Sequence, residues 1–86
     1  MIDPEIAPFY EQLVKYVNVN RIDSVVSKFP DLKDRNKLKE LVIKDVLTDA
    51  EKDEVKMPES EEKHKKLLKE LNSVVLKEIN SYYVKH

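Results

Sequence analysis

The stretch LKDRNKLKELVIKDVL, residues 32–47, decides the fold. Placed at 100° steps, Leu32, Leu38, Leu41, Val42, Ile43, Val46 and Leu47 spread over roughly 240° of arc, against the stripe of about 100° that an ordinary surface helix buries. A helix this apolar belongs at the centre of a bundle. Its one wholly polar strip, Lys33, Lys37, Glu40 and Lys44, is left for water, while Lys39 and Asp45 fall inside the apolar arc and must reach past its edge along their own stems. The β-branched pair Val42-Ile43, like Val25-Val26 and Val74-Val75, lies within a 3.6-residue period rather than a two-residue alternation. No stretch reads as a strand, and the fold class expected is all-α, a small bundle of four to five helices.

Working towards the amino terminus, Pro30 pushes Phe29 out of helical geometry and separates the central helix from a shorter one over 21–29. Asp31 is the expected cap of the central helix and Asn20 that of the shorter one, whose buried face is Ile22, Val25, Val26 and Phe29. Before it, Pro8 suits the first turn of a helix over 8–18, with Pro4 in a single-turn lead-in. Towards the carboxyl terminus, Thr48-Asp49-Ala50-Glu51 matches a capping box and predicts an acidic helix over 49–56. Met57-Pro58-Glu59-Ser60 breaks the chain again, and Glu61 and Glu62 suit the first turn of a final helix over 61–83. With no repeat and no linker, residues 1–86 read as one helical domain.

The last helix carries more apolar surface than a peripheral helix needs. Leu67, Leu68, Leu71, Val74, Val75, Leu76, Ile79, Tyr82 and Tyr83 cover roughly 200°, and Leu76 with Tyr83, seven residues apart, forms an edge that Tyr82 extends. Either the shorter helices fold over that edge, or Leu76, Tyr82 and Tyr83 receive a partner, with the tyrosines as amphipathic anchors.

Composition narrows the chemistry. The 86 residues include no cysteine and no glycine, which excludes disulfides, thiolate chemistry, zinc fingers and glycine-rich phosphate loops. A chain this short hides only about 64% of its unfolded surface, so the core is thin. Net charge is −1, yet residues 48–62 carry seven acids against two bases and residues 63–86 carry six bases against two acids. These segments can neutralise one another, or the basic one can meet an anionic partner. Abundant Lys and Glu with a single Gln suggest heat adaptation. Met1-Ile2-Asp3-Pro4 lacks a positive leader, no apolar run spans a bilayer, and the expected location is cytoplasmic, with no membrane contact.

Candidate catalytic groups do not converge. Glu61 and His64 share a helix face but have no further ligand in sequence, His86 closes the chain, and no metal or cofactor is expected. Asp49, Glu51, Asp53 and Glu54 read as a solvated acidic face rather than an acid–base pair. The serines have neither a neighbouring base nor a glycine elbow. No enzyme activity and no small-molecule substrate are expected. The function expected is therefore an interaction module, an accessory subunit or homo-oligomer that binds a protein or a second copy through Leu76, Tyr82 and Tyr83.

The alternative is a small DNA- or RNA-binding or regulatory protein of archaeal or viral type. Helices 21–29 and 32–47 could imitate a helix-turn-helix, with Lys33, Arg35, Asn36 and Lys37 opening the recognition helix. A second row, Lys63, Lys65, Lys66 and Lys69 with His64, could face phosphate, although Lys63, Lys66 and Lys69 could equally answer nearby glutamates.

Overall fold

In a computed structural model, residues 2–85 are described and form four helices: α1 (Ala7–Val14), α2 (Val19–Lys28), α3 (Arg35–Lys52) and α4 (Glu61–Lys85). Met1 and His86 lie outside the described residues. Among the described residues there is no strand, so the expected all-α bundle of four to five helices holds, with four.

The lead-in is a turn held by Asp3, whose carbonyl accepts from Ile6 and Ala7 and whose carboxylate accepts from the Glu5 amide. It places Pro8 in the first turn of α1, where its missing N–H costs no hydrogen bond. α1 stops at Val14 and not at residue 18. Tyr16 and Val17 donate to Leu13 and Val14, a tightened i→i+3 turn that frees Asn18 to turn extended. Asn18 then caps α2 by accepting from the Arg21 amide at 2.9 Å. The cap is therefore Asn18 rather than Asn20, since it is Asn18 that stands three residues before an amide with no helical partner.

After α2 the chain runs without helix from Phe29 to Asp34. Asp34, not Asp31, caps α3 by accepting from the Asn36 and Lys37 amides, so α3 begins at Arg35 and not at Leu32. The short turn of a helix-turn-helix is thereby lost, and Lys33 sits in the connection instead of on a recognition helix.

At its other end α3 runs through the expected capping box to Lys52. Leaving the helix at Thr48 would withdraw Ala50, 2% exposed, from the core. Thr48 donates instead to the Lys44 carbonyl at 2.8 Å, and Asp49 is held by Arg21. No separate helix forms over 49–56. The stop falls at Glu54, at φ 59°. There Val55 N–H reaches the Ala50 carbonyl and Glu54 N–H that of Glu51, the paired closure usually built on glycine. A chain without glycine uses glutamate.

The core is a single cluster. Ile6, Leu13, Ile22, Val25, Leu38, Val42, Val46 and Ala50 meet the α4 row Leu67, Leu71, Val75 and Ile79, all buried. No polar or charged residue is buried among those described. α3 and α4 share the most extensive interface and run antiparallel, which brings Arg35 to Asn80. Arg21 ties α2 and the α1–α2 connection to α3. Its guanidinium forks onto Asp45 and Asp49, its Nε donates to the Tyr16 carbonyl, and it lies 5.8 Å from the Tyr16 ring centroid. Asp45 escapes the apolar arc of α3 by meeting this arginine.

Candidate functional site

α4 has two faces in the sense that helical geometry requires. Leu67, Leu71, Val75 and Ile79 are buried, whereas Lys65, Lys69, Ser73, Lys77 and Ser81 are exposed. The second row stands two residues, hence about 200° of helix, from the first. Four residues rise about 6 Å, so the row presents its groups at regular steps over about 24 Å.

The lysines of α4 divide by their partners. Lys63 pairs with Glu5 at 3.7 Å, and Lys66 pairs with Asp3 at 3.6 Å and Glu62 at 3.9 Å. Much of their answer thus comes from the amino-terminal lead-in, which sequence spacing could not bring to α4. Lys65, Lys69 and Lys77 have no carboxylate within 4.0 Å among the described residues. Between Lys63 and Lys77 the sequence has one acid, Glu70, which borders the row.

The carboxyl half of the row opens into a shallow groove of about 470 Å³ lined by Ser73, Leu76, Lys77, Asn80, Ser81 and Val84. Leu76 is half-buried and Val84 is 86% exposed. Arg35 of α3 meets this lining at Asn80. It donates to Asn80 Oδ1 at 2.6 Å and lies over the Tyr83 ring, 5.1 Å from its centroid. Asn80 uses its carbonyl oxygen on Arg35, so its amide NH₂ group is its remaining polar group.

The residues singled out in the sequence therefore separate. Arg35 and Tyr83, assigned there to different partners, meet, and Leu76 lines the groove with Asn80, the partner of Arg35. Tyr82 turns to α2 and donates its hydroxyl to Asp23 at 2.8 Å, packing edge-on to Tyr83 with centroids 5.5 Å apart. That hydrogen bond, and secondarily desolvation, raise the Tyr82 pKa above the ordinary tyrosine value. Lys37 pairs at 3.8 Å with Glu40. His64 does not join the lysine row, but lines a small apolar pocket with Leu47, Ala50, Val55 and Met57. Among the described residues no three His, Cys, Asp or Glu side chains are grouped to hold a metal ion.

Lys77, Ser73 and Asn80 were not singled out in the sequence. The four-residue step from Lys65 through Lys69 would have reached Lys77, but the apolar edge at Leu76 and Tyr83 drew the reading to its neighbours.

No helix of the described residues is long and apolar enough to cross a membrane. No curated protein matches the chain, and no solved structure does. The family model described as T4 RNA ligase 2 C-terminal matches residues 3–84. That match corrects the expectation of no enzyme activity, which rested on the lack of converging catalytic groups in this stretch, because it points to an RNA ligase-related protein, an enzyme family. It makes this a ligase-related, nucleic-acid-related domain. With nearly its whole length matched, the chain belongs to the T4 RNA ligase 2 C-terminal family.

Proposed function

We propose that this domain holds RNA during end joining by its phosphates, along the outer face of α4. Lys65, Lys69 and Lys77 supply the charge, while Ser73, Ser81 and the Asn80 amide supply neutral hydrogen bonds. The observation that carries this reading is the division among the lysines: Lys63 and Lys66 are answered by carboxylates, whereas Lys65, Lys69 and Lys77 have none within ion-pair distance among the described residues. Phosphate contacts release counterions and fix register without reading sequence. Lysine, a point charge on a flexible stem, suits that task, and the chain's two arginines are committed to protein partners.

The test is a map of backbone amide shifts while a short RNA is titrated into the labelled protein. The expected changes cluster at residues 65–81 on the outer face of α4 and at Arg35. Changes confined to α1 and α2 would refute the assignment.

A second reading rests on Leu76 and Val84, apolar side chains within the same groove. They would dock another protein segment, such as the rest of a ligase, beside the RNA. Binding of this kind would persist at high salt, where phosphate contacts fade.

A further inference from the structure

Phe29 is the most exposed aromatic side chain among the described residues, at 44%. Pro30 forbids the helix to continue through it, and its backbone leaves α2 at φ −128° and ψ 64°. The ring borders a groove of about 520 Å³ whose apolar wall is Pro30, Leu32 and Leu41 and whose rim carries Lys28 and Lys37. Lys33 stands exposed in the same connection. The acids nearby are mostly engaged. Asp34 caps α3, and Glu40 pairs with Lys37 at 3.8 Å. Asp31 remains on the rim.

The other rings are partly buried, Phe9 and Tyr10 against the core. Tyr16 donates to Asp53 and lies by Arg21, Tyr82 donates to Asp23, and Tyr83 lies under Arg35. An exposed ring bordered by ammonium groups is what an unpaired nucleotide requires, with its base on the ring and its phosphate on a lysine. Continuity supports the same occupant. Arg35 joins the start of α3 to the end of the α4 row at Asn80, and the connection that begins at Phe29 leads directly into it.

We propose that the Phe29 groove receives an unpaired nucleotide of an RNA whose neighbouring strand lies on α4. The inference rests on the α4 reading and names the kind of RNA end that the domain prefers. Fluorescence anisotropy would compare a short blunt RNA duplex with the same duplex carrying a short unpaired uridine extension. Wild type should bind the extended RNA about five- to a hundredfold more tightly, the range that one base–aromatic stack supplies. Phe29→Ala and Phe29→Leu should lose that preference and keep the blunt-duplex affinity. Phe29→Leu preserves apolar packing, so it separates loss of stacking from loss of structure. Asp31→Asn should enlarge the preference.

Equal binding of both RNAs by wild type, or a preference that survives both Phe29 variants, would overturn the proposal while leaving the α4 reading intact. Absence of binding to either RNA would overturn both. An acidic peptide that binds wild type but not Phe29→Ala, without any preference for extended RNA, would show the groove to be a protein dock and overturn the proposal.

Discussion

Arg21 gathers the α1–α2 connection, α2 and α3 into one arrangement. Partial burial opposes its charge, but hydrogen bonds to Asp49 and Asp45 outweigh that cost and hold its pKa above the ordinary arginine value. Its side chain is 14% exposed, while both carboxylates are near 40%, so solvent screening limits what the fork contributes. Arg21→Met should lower unfolding free energy by about 2 kcal/mol in urea denaturation. Arg21→Lys should fall between the two, because an ammonium cannot span both carboxylates and the Tyr16 carbonyl in one plane. Glu54 offers the opposite case. A side chain at positive φ costs about 1 kcal/mol that glycine avoids, so Glu54→Gly should raise the urea midpoint.

The tyrosines give stability a defined pH dependence. Hydrogen bonds to Asp53 and Asp23 are the leading causes that raise the Tyr16 and Tyr82 pKa values. Each folded-state pKa lies above the unfolded value of about 10, so their contribution is fully present below pH 10 and is lost as pH rises through the folded values. Thermal melts should therefore weaken above about pH 10, and the Tyr16→Phe/Tyr82→Phe double variant should show a shallower alkaline decline. An unchanged decline would contradict the assignment.

At the scale of elements, α4 separates into a row that holds the fold and a row that does not. Leu71→Ala should cost about 2–5 kcal/mol, as truncation of a fully buried leucine does. Leu76→Ser should cost less than about 1 kcal/mol and leave helix content unchanged. Circular dichroism during thermal unfolding measures both. The hydrophobic period made the helices and most of the core readable in the residues, because Leu38, Val42, Val46, Leu67 and Leu71 repeat at helical spacing. The boundaries were less so. Thr48 could cap a helix or back-bond within one, and the choice was made by tertiary contacts: Ala50 in the core and Asp49 on Arg21. Asp31 and Asp34 are both good caps, and Asp34 serves. The lysine row was legible only in part, since nothing local to α4 says that Asp3 and Glu5 answer Lys66 and Lys63.

At the scale of the molecule, the bundle keeps its ion pairs with the amino-terminal lead-in on one flank of α4 and leaves a second flank of lysines to solvent. The proposed RNA would give that flank an anionic polymer, and counterion release makes the proposal quantitative. The most direct measurement is the salt dependence of RNA affinity, taken between about 50 and 200 mM. It would compare wild type with a Lys65→Gln/Lys69→Gln/Lys77→Gln variant and a Lys63→Gln/Lys66→Gln variant. If the outer row holds phosphates, the triple variant binds more weakly and its log–log slope falls by about two to three, while the double variant keeps the wild-type slope. An unchanged slope in the triple variant, or an equal loss in the double variant, would contradict the account.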